Sequence, residues 1–305
     1  MSICAISQGA IGRPTDTQTR DLRAVFSRGG HFKKSYNHII YETGTFIDSE
    51  TFMRDNKCKA RNGGIAMILV TGDIHGEVHR VSDAVARFGL GSEDIVILLG
   101  DTGMNYYGNT CGDHHRKKRL NDLGVTMFCI HGNHEMRPET IVTYHETKWH
   151  GGTAYVEDEF PNLLFAKDGE VYEIAGKKAI VIGGAYSVDK WYRLERNLHW
   201  FEDEQPSAEI KNRVEQKLNE LGWKVDLVWT HTCPEKYTPR EAFLSGVNQA
   251  TVDNSTEQWL NTIEKRLEYK AWYCGHWHIN KRIDRMHFLM ESYEEIQLGE
   301  VQENG

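Results

Sequence analysis

Five short apolar runs in this sequence each stop at polar residues, and the repetition narrows the folds open to the chain. The first is Met67-Ile68-Leu69-Val70-Thr71, followed by Gly72-Asp73-Ile74-His75-Gly76. Its apolar and β-branched residues read as a short buried strand, which Gly72 breaks. Asp73 and His75 follow two apart, where an extended backbone points both side chains to one side. The same design recurs four times. Asp94 to Leu99 leads into Gly100-Asp101, and Val125 to Ile130 into His131-Gly132-Asn133-His134-Glu135. Val225 to Trp229 leads into Thr230-His231-Thr232, and Ala271 to Cys274 into Gly275-His276-Trp277-His278. Parallel strands in a layered sheet bring such ends to one edge, where ligands gather.

The segments between these runs support that layering. Glu77 to Phe88 carries Val78, Val81, Ala84, Val85 and Phe88 at helical spacing. His114 to Leu123 reads as a basic helix, Ser207 to Leu221 as a helix capped by Ser207, and Ser255 to Leu267 as another. Strands alternating with helices predict an α/β layered architecture. Leu163 to Phe165, Val171 to Ile174 and Lys178 to Ile182 are divided by close turn residues and predict antiparallel hairpins. A long loop from Gly183 to Pro206 carries Lys190, Arg193 and Arg196 with Trp191, Tyr192 and Trp200. Closing strands are expected at Lys281 to Asp284 and Phe288 to Glu291. The expected organisation is an N-terminal extension over 1–66, one domain over 67–292 and a frayed acidic tail over 293–305.

Composition excludes several classes. A net charge of −8 does not invite nucleic acid or an anionic membrane onto the whole surface. No apolar run approaches the length of a bilayer span, and no basic segment followed by an apolar one opens the chain. The cysteines at 4, 58, 111, 129, 233 and 274 form no CxxC pair, and Cys129 and Cys274 sit in apolar runs as reduced core residues. A cytoplasmic location is expected.

The strand ends collect two carboxylates, one amide and several imidazoles. That mixture suits Mn, Fe, Zn or Co better than Ca or Mg. There are too many ligands for one ion and about enough for two, an arrangement used in phosphate-ester hydrolysis.

Gly72-Asp73-Ile74-His75-Gly76, Gly100-Asp101, Gly132-Asn133-His134-Glu135, His231 and Gly275-His276-Trp277-His278 together resemble the ordered motifs of the calcineurin-like metallophosphoesterases. The first and third are most similar to the protein serine/threonine phosphatase branch. The resemblance implies an α/β/β/α sandwich with its metal site at the C-terminal strand ends. It implies Asp73, His75 and His278 on a first divalent ion, Asp101 bridging, and Asn133, His231 and His276 on a second. It implies His134 as proton donor to the leaving oxygen and a metal-bound hydroxide as nucleophile. The expected function is hydrolysis of a phosphorylated substrate, with a phosphomonoesterase or phosphatase favoured. A phosphodiesterase or nuclease is the alternative, and an inactive scaffold is disfavoured because every ligand position is filled.

One departure stands out. The phosphatase branch follows its second Gly-Asp with Asp-Arg-Gly, whereas this chain reads Asp101-Thr102-Gly103-Met104-Asn105. The residues expected to orient the catalytic histidine and to clamp phosphate are therefore absent. Arg137 and Arg193 are candidates for the clamp, and Asn105 for the orienting group. His79, His145, His150, His199 and His287 are expected on the surface or in the core, and His131 under the site. The basic run from His114 to Arg119 reads as a solvated helix face, or alternatively as a track for phosphate-rich substrates. Trp191, Tyr192 and Trp200 read as core, or alternatively as a platform for stacking bases.

Overall fold

The computed structural model describes residues 66–108 and 110–297. Apart from residue 66, the expected N-terminal extension lies outside the described residues, as do residues 298–305 of the expected tail. The first half contains β1 (Ile68–Thr71), α1 (Val78–Phe88), β2 (Ile95–Leu98), α2 (Cys111–Asn121), β3 (Thr126–Cys129), β4 (Tyr144–Trp149), β5 (Gly152–Glu157) and β6 (Leu163–Ala166). Then come β7 (Val171–Ile174), β8 (Lys177–Ile182), α3 (Lys190–Glu195), α4 (Ala208–Glu220) and β9 (Leu227–Thr230). The last elements are α5 (Ser255–Glu264), β10 (Ala271–Cys274), β11 (Lys281–Ile283), β12 (Met286–Phe288) and β13 (Glu294–Glu295). None of the described helices is long and apolar enough to cross a membrane.

Two sheets form, in the orders β13-β1-β2-β3-β6-β5-β4 and β11-β12-β10-β9-β8-β7. Strands β1, β2, β3 and β6 run parallel in the first, and β8, β9, β10 and β12 in the second. Side-chain alternation builds the layers. Ile68, Val70, Ile97 and Phe128 face the second sheet and meet Val181, Trp229 and Tyr273. Leu69, Val96, Leu98 and Met127 face the other way, against Val78 and Val81 of α1 and Leu120 of α2. Val228 and Trp272 likewise meet Ile210, Val214 and Leu218 of α4 and Leu260 and Ile263 of α5. These are the four layers of an α/β/β/α sandwich. The register aligns Thr71 with Leu98 and Leu98 with Cys129 in one sheet, and Ile182 with Thr230 and Thr230 with Cys274 in the other. The residues that follow these strands therefore emerge along one edge.

Helices α1, α2, α4 and α5 and the central strands fall close to the expected positions, whereas α3 forms inside the stretch expected as a long loop. Ser207 caps α4 through Oγ, which accepts from the Ile210 amide at 3.2 Å. Three expectations are corrected. Of the three strands, only β7 and β8 pair with each other as a hairpin, because β6 joins the first sheet, parallel to β3 and antiparallel to β5. The hairpin of β4 and β5 was not anticipated; its turn is His150-Gly151, with φ of 46° and 84°, the positive pair that two-residue hairpin loops require. The tail from Glu294 is not frayed over its described part. Glu294 and Glu295 pair with β1, Ile296 is buried, and Glu294 binds His287 Nδ1 at 2.6 Å.

The basic run on α2 is a solvated face at His114, His115, Lys118 and Arg119, and departs from it at Lys117. Lys117 is buried, and its Nζ lies 2.6 Å from Glu157 Oε2 on β5. Lys118 pairs with Asp122, and His114 with Glu159. Replacing Lys117 by methionine leaves Glu157 charged and buried without its partner. Such losses cost about 3–5 kcal/mol. Equilibrium urea unfolding at neutral pH is expected to show a loss of that size with an unchanged slope. A change under about 1 kcal/mol would show that Thr143, whose hydroxyl donates to the other Glu157 oxygen, suffices alone.

Candidate metal centre

The ligand side chains do not converge by strand alternation. The extended backbone expected at Asp73-Ile74-His75 is replaced by a turn, with His75 at φ 45°. Asp101, His276 and His278 are also left-handed, at 44°, 64° and 51°. Side chains with a Cβ seldom occupy this region, and such strain collects at functional sites. The turns are tied to one another. The His75 amide donates to the Asp101 carbonyl at 2.8 Å, and the Gly275 amide to the His231 carbonyl at 3.0 Å. Bare backbone makes room for the carboxylates: a Cβ on Gly275 would lie 2.1 Å from Asp73 Oδ1, and one on Gly132 2.1 Å from Asp101 Oδ1.

Two groups of donor atoms result. Asp73 is fully buried, and its Oδ1 accepts from the His276 amide at 2.9 Å. Its Oδ2 has no hydrogen-bond donor and lies 3.2 Å from His278 Nε2 and 3.8 Å from His75 Nε2. The two imidazole nitrogens are 3.0 Å apart. In the second group His231 Nδ1 lies 2.8 Å from the Leu99 carbonyl. A carbonyl only accepts, so Nδ1 carries a proton, and in the neutral ring Nε2 presents its lone pair. That lone pair faces Asn133 Oδ1 at 2.7 Å, and His276 Nδ1 faces the same oxygen at 3.0 Å. The amide is oriented by Ser187, whose Oγ accepts from Asn133 Nδ2 at 2.8 Å. Asp101 joins the groups: Oδ2 is 3.9 Å from His75 Nδ1, and Oδ1 is 3.7 Å from His231 Nε2.

Electrostatics keep these groups in ligating form. Burial opposes ionisation of Asp73, but the adjacent imidazole of His278 and the charge of His231 hold its pKa at about 2. Burial also opposes ionisation of Asp101, and His134, His231 and His75 overcome it, leaving the carboxyl well below the usual range. Burial, aided by His231, pushes His276 down to about 3, so its ring is neutral and able to bind metal.

Acceptor atoms facing acceptors, with a buried carboxylate oxygen lacking a donor, are what a cation site requires. Single donor atoms of Asp73, His75 and His278 lie within 4.8 Å of one another, as do those of Asp73, Asp101 and His231. Asn133 and His276 extend the second group. The residues fit divalent metal, and a candidate metal site is present.

The model of the calcineurin-like phosphoesterases matches residues 66–280. The chain belongs to that family. It is therefore a hydrolase acting on phosphoric ester bonds. Among solved structures, TT1561 of Thermus thermophilus shares 12% identity over 77% of this chain and 100% of its own, with a TM-score of 0.44. A protein serine/threonine phosphatase from Saccharomyces cerevisiae, described as similar to human phosphatase PP5, shares 13% over 74% of this chain and 67% of its own, with a TM-score of 0.27. No curated protein matches the chain. The assignment rests on the family model, not on these distant likenesses.

Around the phosphoesterase centre the other candidates separate. His134 lies beside it, its ring centroid 6.2 Å from that of His75 and its amide donating to Asp101 Oδ1 at 2.8 Å. Burial lowers its pKa, against the opposing charges of Asp101 and Asp189. Arg137 is not placed as a phosphate clamp. It is buried, with Nη1 2.6 Å from Asp168 Oδ2 and Nε donating to the Asp203 carbonyl. Arg193 sits near His134 and is held by Asp189. Asn105 accepts from the Tyr144 hydroxyl through Oδ1 at 3.0 Å, and its Nδ2 is buried without an acceptor. His131 is buried under the site, as expected.

Several supporting residues were missed. Ser187 orients Asn133. Arg80 Nη1 donates to the Asp73 carbonyl at 2.6 Å. Glu135 accepts from the Thr102 and Gly132 amides and from Thr102 Oγ1 at 2.5 Å, fastening two site loops together. Only Glu135, inside the Gly-Asn-His-Glu motif, carried any signal in the sequence.

Proposed function

We propose that this phosphoesterase hydrolyses phosphomonoesters at a two-metal centre. The observation that carries the reading is the pair of adjoining acceptor groups joined by the Asp101 carboxylate, with His134 beside them. In this reading Asp73, His75 and His278 would hold one ion and Asn133, His231 and His276 the other, with Asp101 shared between the two groups. Bound divalent ions supply Lewis acidity, which lowers the pKa of water and polarises the phosphoryl group. The chain does the rest. Asp73 and Asp101 offset cationic charge in a buried site, while Leu99 and Ser187 hold His231 and Asn133 to the required faces. His134 gives its proton to the leaving oxygen as the ester bond breaks. Arg193 adds positive charge near His134 through its field rather than by contact, which favours a dianionic monoester over a diester.

One observation favours nucleotides as a second reading. Tyr106, Tyr107 and His199 pack edge to face with centroids 4.7–5.5 Å apart, next to Arg193. Tyr107 and Leu198 in this neighbourhood remain exposed. Apolar and aromatic surface there suits an aromatic leaving group.

The test is a screen of the manganese-loaded protein against nitrophenyl phosphate, bis(nitrophenyl) phosphate, a phosphoserine peptide, nucleoside monophosphates and single-stranded DNA. Monoesters are expected to turn over faster than diesters. Faster turnover of the diester or of DNA would reverse the reading.

A further inference from the structure

We propose that Asp189 positions the imidazole of His134, with Arg193 holding the carboxylate in place. The proposal rests on the reading of His134 as proton donor.

A proton-donating imidazole works only when its ring is held toward the leaving oxygen, and a carboxylate is the usual holder. No side-chain partner of that kind comes from the turn after β2. Asp101 Oδ1 accepts from the His134 backbone amide, not from the ring. Asn105 is bound to Tyr144. The chain supplies a carboxylate from elsewhere.

The loop between β8 and α4 is docked onto the His134 loop at two points. The Gly184 amide donates to the His131 carbonyl at 2.8 Å, and Ser187 Oγ accepts from Asn133 Nδ2. The backbone bends after Ser187, with the Lys190 amide donating to the Ser187 carbonyl at 3.0 Å. Asp189 lies within that bend, two residues beyond the contact with Asn133. Its Oδ2 accepts from Arg193 Nε at 2.7 Å, one turn along α3. Its Oδ1 is buried and has no donor. A buried carboxylate oxygen without a donor is costly unless it serves a group that engages during function. Arg193 is itself anchored, Nη1 donating to the Tyr106 hydroxyl and the His199 carbonyl at 3.1 Å each. The carboxylate is thus fixed from behind, with one oxygen left to work.

His134 is the neighbouring group suited to that oxygen. Asn133, which Ser187 Oγ binds, is the residue before His134, so the bend that carries Asp189 lies against the His134 turn. No direct contact joins the two side chains; catalytic hydrogen bonds are often long in the free enzyme and tighten with substrate bound. The proton leaves His134 for the departing oxygen, and the carboxylate only orients the ring and steadies its protonated form.

The experiment compares Asp189→Asn, His134→Ala and the double variant, in the full chain loaded with manganese, on an alkyl phosphate and on nitrophenyl phosphate. Asparagine keeps the shape and removes the charge. On the alkyl ester Asp189→Asn is expected to lower kcat by about 10–100-fold, the usual effect of losing an orienting partner, with KM and metal content unchanged. On nitrophenyl phosphate the loss is expected to be smaller. In the His134→Ala background Asp189→Asn is expected to change nothing, because the ring it holds is gone. A further loss in that background, or a rise in KM without a fall in kcat, would overturn the proposal. A second readout is independent of turnover and of metal. In metal-free protein carrying nitrogen-15 histidine, Asp189→Asn should shift the His134 ring signals and leave those of His287 in place. Unmoved His134 signals would overturn the proposal. Failure of the underlying reading looks different: His134→Ala would then itself show no dependence on the leaving group.

Discussion

Asp101→Asn is expected to lose metal and, with it, nearly all turnover. Asp101 is the residue whose two oxygens face different ligand groups, Oδ2 toward His75 and Oδ1 toward His231. Two divalent cations in one buried site repel strongly, and an anion between them reduces that cost. Asparagine keeps one oxygen and can still accept from the His134 amide, so the turn should survive. It removes the charge and replaces the second oxygen with a donor aimed at ligand atoms. Loss of a partner outside the ligand shell already costs about 10–100-fold in affinity or activity, so loss of a bridging ligand should exceed ~10²-fold. Elemental analysis after dialysis against limiting manganese checks this. The variant should bind at least one ion fewer than the parent. Equal metal content would remove Asp101 from the bridging position, whatever the activity. Asp73→Asn is the informative comparison. Its Oδ2 serves the His75–His278 group, and its Oδ1 is taken by the His276 amide. Its loss should fall mainly on one ion.

The strands carrying these residues were legible because they are buried on both faces. Runs such as Ile95-Val96-Ile97-Leu98 admit few alternatives, and four of the five lead to a glycine where the candidate ligands begin. The ligands were legible because residue type and order survive without three-dimensional information. What was not legible depends on partners distant in sequence. Leu163 to Ala166 looked like part of a local hairpin, yet it pairs with β3, more than thirty residues earlier. Glu294 and Glu295 looked like a frayed end, but β1 is an exposed edge that they cover. The turn geometry at His75 was misread because periodicity describes strands, while the ligands lie just beyond them, in left-handed backbone that no pattern of apolar residues encodes. Arg137 failed as a clamp for a related reason. Three positions after His134 it seemed close to the chemistry, but Asp168 turns it inward. Arg193 lies far from His134 in sequence and comes near it only because Ser187 fastens its loop to Asn133.

That loop bears on the last expectation, His134→Ala, where the largest differential effect between substrates should appear. The metal ligands on either side of His134 do not use its ring; only its backbone amide contacts Asp101, and alanine retains that amide. Metal content should therefore match the parent. In the proposed reading the ring's task is to protonate the leaving oxygen. An alkoxide is a poor leaving group and needs that proton as the ester bond breaks; a nitrophenolate is stable without it. General acid catalysis contributes ~10²–10⁴-fold, and a loss of that order is expected in kcat on an alkyl phosphate. On nitrophenyl phosphate the loss should be much smaller, with KM little changed on both. Parallel kinetics on the two esters, with metal measured in the same samples, separate the possibilities. Equal losses on both would assign His134 to holding the phosphoryl group or the nucleophile. No loss on either would remove it from the reaction, and the buried carboxylate of Asp189 would then need another partner. A loss confined to the poor leaving group is the outcome that only a proton donor produces. It would also explain why a chain lacking the expected Asp-Arg after Asp101 still places a carboxylate and a guanidinium, Asp189 and Arg193, on the loop fastened beside that histidine.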